Sequence, residues 1–247
     1  MNGSNDDGIL TEQDRVQRDS YTSFVADRVR EVQQRIERAR ERSAWGQHVT
    51  LVAVTKTHPS SAVVAAWQAG VADVGENKVQ EAEEKMALVS VPVRWHLIGH
   101  LQRNKARSAV RFDLVHSIDS ERLAKALNDA AVAIQKVQDV LVQVNVSGEE
   151  TKGGFSPNDV SAFAARLHLF TNLHVVGAMT MAPFDAQEAE LRSVFGGARR
   201  VRDELVKAGH PAKELSMGMS GDFEIAVEEG ATLVRLGTVL FGNRAST

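Results

Sequence analysis

A chain of 247 residues with 43% hydrophobic and 25% charged side chains can bury a substantial core and fits one large domain. Its net charge of −3, from 29 basic and 32 acidic residues, excludes a global basic field for nucleic acid or an anionic membrane, so small-molecule partners are expected. The absence of cysteine excludes disulfides, thiolate metal sites and a cysteine nucleophile.

The first twenty residues, MNGSNDDGILTEQDRVQRDS, are polar and acidic, lack the charged-then-apolar order of a signal peptide, and are expected to form a disordered tail (1–20). No apolar run approaches 18 residues, and a cytoplasmic protein is expected. From Tyr21 to Ala44, Phe24, Val25, Val29, Val32 and Ile36 recur at helical spacing between Arg and Glu, the pattern of an amphipathic helix. Short apolar runs follow at 50–55, 71–75, 93–98, 113–118, 139–146, 173–180, 213–217 and 232–237. Helical patterns fall between them at 60–69, 77–89, 120–136, 156–170, 186–208 and 221–229, with Ser60, Asn77, Ser120 and Ser156 as expected caps. Strands alternating with helices imply parallel βαβ units. Eight near-continuous apolar strands predict an α/β fold, a single (β/α)8 TIM-type barrel over residues 21–247, with a doubly wound open sheet as the alternative. The chain ends soon after the eighth strand, so the additional N-terminal helix is expected to cover the place of a missing outer helix.

In a barrel, chemistry collects at the C-terminal ends of the strands. Unusual residues fall there repeatedly: Lys56 after the first strand, GENK (75–78), IGHLQRNK (98–105), NVSGEETKGG (145–154), MTMAP (179–183), SMGMSGD (216–222) and RLGT (235–238). The seventh loop offers Ser216, Gly218, Ser220 and Gly221 just before a helix, the backbone N–H groups and hydroxyls of a phosphate cradle, which Gly237 and Thr238 could close. The same loop also reads as a capped turn whose glycines serve the backbone. Lys56 has three readings: a phosphate counterion, an imine-forming amine favoured by burial, or a lysine reaching solvent.

The stretches LVAVTKTHP, GENKVQEAEEK, WHLIGHLQRNKA, VHSIDS, NVSGEETKGGF and LSMGMSGDFEIAVEEGATLVRLGTVLFG together resemble the YggS/PROSC-like pyridoxal phosphate homeostasis proteins, whose barrel is similar to the N-terminal domain of bacterial alanine racemases. The resemblance runs from about Val49 to Arg244. It implies pyridoxal 5′-phosphate (PLP) held as an internal imine on Lys56, and phosphate on the loop of Ser216, Met217, Gly218, Ser220 and Gly221 with Gly237 and Thr238. It further implies Arg235 facing the pyridine nitrogen, with Asn77 and Met179 around the ring. The implied function is a non-catalytic carrier, expected as a monomer, that passes PLP to apo forms of PLP-dependent enzymes in vitamin B6 and amino-acid homeostasis.

A weak amino-acid racemase is the alternative. Arg235 argues against it, because a guanidinium only donates and would leave the ring nitrogen unprotonated, a poor electron sink. Racemisation also needs a second base, which the racemases resembled here take as a tyrosine from an additional C-terminal domain. This chain ends at Thr247, its one tyrosine is Tyr21, and His58 and His100 are the conceivable substitutes. Lys152 is a candidate second amine for capturing PLP in transit. Arg103, Lys105 and Arg107 read as a solvated face rather than an RNA site. No metal is expected, since His96 and His100 lack a metal-binding motif.

Overall fold

The computed structural model describes residues 12–149 and 152–242, with side chains from residue 18 onward. Eight parallel strands close into a barrel in sequence order: β1 (Thr50–Val54), β2 (Asp73–Glu76), β3 (Arg94–Leu97), β4 (Leu114–Ile118), β5 (Gln138–Gln143), β6 (Leu173–Met179), β7 (Glu214–Ser216) and β8 (Leu233–Leu236). Val52 lies opposite both Asp73 and Arg235, so β1 bonds to β2 on one side and β8 on the other. This is the TIM-type barrel that the strand periodicity predicts, and it rules out the open sheet.

The outer layer comprises α1 (Glu12–Arg42), α2 (Ser60–Gln68), α3 (Val79–Leu88), α4 (Ala106–Ala109), α5 (Glu121–Ala133), α6 (Pro157–Leu167), α7 (Glu188–Lys207), α8 (Phe223–Glu228) and α9 (Thr238–Phe241). A 3-10 turn, Arg103–Lys105, precedes α4; that turn, α4 and α9 were not among the expected helices. Helix α1 takes in residues 12–20, which composition assigned to a tail, because Glu, Gln, Arg and Val there are compatible with a helix. The remainder of that expected tail, 1–11, lies outside the described residues. Because α9 is only 4 residues long, α1 packs on α2, α8 and α9 and covers the last part of the wall. Val25, Val29, Val32 and Ile36 are buried on its inner face, and Arg35 forks onto Glu224 of α8.

Of the expected caps, only Ser120 accepts a backbone N–H, that of Leu123 at 3.3 Å. Ser156 instead donates to the Asp159 carboxylate, Ser60 lies inside α2 behind Pro59, and Asn77 precedes the Lys78 cap of α3.

Side chains alternate across each strand. On β1, Leu51 and Ala53 pack outward against the helices, whereas Val52 joins Leu114, Leu141, Met179 and Leu233 in a small apolar cluster inside the barrel. Two residues further along β4 and β8 the inward positions become His116 and Arg235, both buried. The interior therefore turns from apolar to polar towards the C-terminal mouth.

Candidate functional site

At that mouth lies a cavity of about 480 Å³, within the usual range for small-molecule sites. Strand parity puts Lys56 on its wall, since Val54, two residues on from inward Val52, lines the cavity and Lys56 follows it by two more. The Lys56 side chain is half-buried.

The turn that presents it is braced. Thr57 has φ 64°, a left-handed conformation that is uncommon for a β-branched residue, and its N–H donates to Glu81. Lys85, 6% exposed, donates to Thr55 O and Glu76 Oε1, both at 2.7 Å, and to Glu81 Oε1 at 2.9 Å. Burial lifts the Glu76 carboxyl above its ordinary value against the pull of Lys85 and Thr55. Lys85→Met should leave a buried carboxylate without its cation, lowering stability by about 3–5 kcal/mol in denaturant unfolding, and adding Glu76→Leu should restore much of it. An unchanged midpoint in the single variant would remove this brace from the account.

Across the cavity, Arg235 is 5% exposed; its Nη1 donates to Ser216 Oγ at 2.5 Å and its Nη2 to Thr180 O at 3.0 Å. Burial pushes its pKa down to about 10, partly offset by Asp222, so it stays cationic at neutral pH. The seventh loop turns at Gly218 (φ 93°), and Met219 N–H donates to Asp222 Oδ1 at 2.6 Å. Among the described residues, the N–H groups of Ser220 and Gly221 have no partner.

Lys56, Asn77, Ser220, Gly221, Arg235, Gly237 and Thr238 thus come together as the sequence suggests. Met179, Ser216 and Met217 do not reach the wall. Met179 belongs to the interior cluster, and Met181, of the same parity, lines the cavity instead. Ser216 is wholly buried and bonded to Arg235, and Met217 packs in the outer core. Gly218 shapes the loop without lining the cavity. Sequence reasoning also missed Val54 and Ile98, which strand parity could have found, and Phe184, 96% exposed on the loop after β6, for which the sequence gives no signal.

The other candidates lie off this wall. His100 pairs with Asp119 at 3.0 Å, His58 packs against the Phe241 ring, and Tyr21 packs against the core from α1. Lys152 forms an ion pair with Glu149. Among the described residues no cluster could hold a metal ion, and no helix is long and apolar enough to cross a membrane.

Beneath Arg235, burial, His96 and Arg235 hold His116 well below its ordinary value of 6.5. An imidazole whose pKa is lowered by folding stabilises the fold above the unfolded value and loses that contribution as pH falls, because the unfolded chain then takes up a proton the folded one refuses. Stability should therefore drop by about 1.4 kcal/mol per pH unit below roughly pH 6.5 from His116 alone. Urea unfolding between about pH 7 and 5.5 checks this, with a shallower decline expected in His116→Gln; a flat profile in the parent protein would contradict it.

Comparison with known proteins agrees with this architecture. Residues 28–245 match the alanine racemase N-terminal domain family. The pyridoxal phosphate homeostasis protein of Aquifex aeolicus is 40% identical over 224 residues, covering 89% of this chain and 98% of that one. Its counterpart in Pseudomonas aeruginosa is 40% identical over 225 residues, covering 90% and 96% respectively. The structure of PipY from Synechococcus elongatus with PLP bound has a TM-score of 0.78 and 36% identity, covering 88% of this chain and 100% of PipY. With relatives at this identity matching nearly end to end over the same barrel, the chain belongs to the pyridoxal phosphate homeostasis protein family.

Proposed function

We propose that this protein binds PLP in the cavity at the barrel mouth, covalently through Lys56, and acts as a non-catalytic cytoplasmic carrier, as a monomer, for apo forms of PLP-dependent enzymes. One observation carries the reading: an amine, a buried guanidinium and a loop with free N–H donors converge on one cavity of about 480 Å³. The donor set suits the group. Lys56 Nζ would supply the amine that holds the aldehyde carbon. Ser220, Gly221 and Thr238 offer N–H and hydroxyl donors for the phosphate. Arg235 offers only donors to the ring nitrogen.

When bound, PLP would supply an electrophilic carbon and a ring that can accept electrons. Arg235, cationic and unable to accept a proton, keeps the ring nitrogen unprotonated and so weakens the electron sink. That weakened sink favours a carrier over a racemase. The family names of the relatives and the PLP in PipY support the same cofactor. A cysteine-free chain suits the reducing cytoplasm.

The test is to load the protein with PLP, reduce with borohydride and map the modified peptide, then assay D- and L-alanine turnover. A single adduct on Lys56 with no turnover above free PLP is expected; steady turnover would overturn the carrier reading, and an adduct elsewhere would overturn the site. Ser220→Ala and Thr238→Val should each weaken PLP retention by about 1–3 kcal/mol, roughly ten- to a hundredfold, and inorganic phosphate should compete. Unaltered off-rates in both variants would move the phosphate elsewhere.

A further inference from the structure

Below the cavity a single line of hydrogen bonds crosses the inside of the barrel. Asp73 Oδ1 on β2 meets His96 Nε2 on β3 at 2.9 Å, and His96 Nδ1 meets His116 Nε2 on β4 at 2.9 Å. His116 Nδ1 meets Ser216 Oγ on β7 at 2.9 Å, spanning the barrel interior, and Ser216 Oγ takes the Arg235 Nη1–H at 2.5 Å. His96, His116 and Ser216 are fully buried, while Asp73 also faces the exposed Arg94 at 3.4 Å near the N-terminal end of the strands. None of these four residues lines the cavity.

With both imidazoles neutral, the carboxylate end fixes the direction of the whole line. A carboxylate only accepts and a guanidinium only donates, whereas a neutral imidazole has one donor and one acceptor. Two neutral imidazoles between such ends admit one assignment: His96 donates from Nε2 to Asp73, His116 donates from Nε2 to His96 Nδ1, and Ser216 donates to His116 Nδ1. The lone pairs of Ser216 are then turned to Arg235, which donates to them.

We propose that Asp73, His96, His116 and Ser216 are positioning residues for Arg235: their one-way hydrogen-bond line keeps the Ser216 hydroxyl turned to accept from Nη1, which fixes the guanidinium plane and the N–H groups it presents to the cavity. Thr180 O secures the second terminal nitrogen, so the guanidinium is held at two points. This deepens the proposed function and rests on its reading that Arg235 faces the cofactor ring. Were Asp73 replaced by asparagine, its amide could donate to His96. Both imidazoles could then reverse to their Nδ1–H tautomers, His116 would donate to Ser216, and the serine hydrogen would lose its acceptor.

The test begins on the ligand-free protein. Long-range ¹H–¹⁵N correlation spectra should show His96 and His116 both as neutral Nε2–H tautomers at neutral pH, and Asp73→Asn should shift both towards Nδ1–H. A protonated His96, or either ring as Nδ1–H in the parent protein, overturns the line as assigned. The second measurement uses PLP-loaded protein: Asp73→Asn and His116→Phe should lose PLP roughly tenfold faster, the loss expected for one weakened hydrogen bond from a charged group, and should alter the pH dependence of the visible band. If His116→Phe does not fold, Asp73→Asn, isosteric and near the barrel floor, still decides. Parent-like retention and spectrum in a variant whose tautomers have reversed overturn the positioning role. A parent protein with the expected tautomers that binds no PLP would instead sink the proposed function and leave the line intact.

Discussion

Lys56→Ala is expected to abolish covalent retention of PLP while leaving the barrel folded. The side chain is half-buried at the mouth and is no part of either apolar cluster, so its loss opens no core cavity. The brace beneath it survives, because Thr57 is held through its backbone N–H and Lys85 bonds Thr55 through a carbonyl. The visible band should disappear, borohydride should fix no cofactor, and apparent affinity should fall by roughly a hundredfold or more, about 2.7 kcal/mol. Lys56→Arg separates the two chemical roles of this cation. A guanidinium preserves the charge but does not condense with an aldehyde at neutral pH. If Lys56→Arg retained PLP as the parent does through gel filtration, Lys56 would be a phosphate counterion and the covalent assignment would fall.

The fold was legible because barrel strands, covered on both faces, write themselves as local apolar runs, and all eight appear close to where the runs place them. The site was legible only where function sits on loops with distinctive chemistry. Ser216 and Ser220 look alike in SMGMSGD. Yet one is the last residue of β7, turned inward to His116 and Arg235, and the other lines the cavity. What separates them is a partner 100 residues away, which no local pattern encodes. Asn77 shows the same ambiguity, since its position before α3 reads as a cap while the structure places the residue on the cavity wall. Met179 closes β6 and Met181 follows it by two residues in the loop beyond, and sequence gives the parity but not the level at which the interior opens.

Gly218→Ala should cost the fold far more than Gly221→Ala, although the two glycines flank the same loop. At Gly218, φ is +93°, and an added Cβ would fall 2.7 Å from Ala226 Cβ and 3.0 Å from Phe223 Cα. Those neighbours belong to α8, whose Phe223 and Ala226 are buried in the main core, so neither can yield without moving the helix. Left-handed strain and overpacking together should destabilise by about 2–5 kcal/mol. For a chain of this size, that lowers the melting temperature on the order of 5–15 °C. At Gly221 an added Cβ would meet nothing within 4 Å. Its stability should stay near that of the parent protein, but the new methyl group would project from a residue of the cavity wall and should speed PLP loss. Melting curves and PLP off-rates on both variants check the contrast. An unchanged melting temperature in Gly218→Ala would mean that the loop relaxes around the substitution, and that its geometry is not what fixes the N–H donors of Ser220 and Gly221.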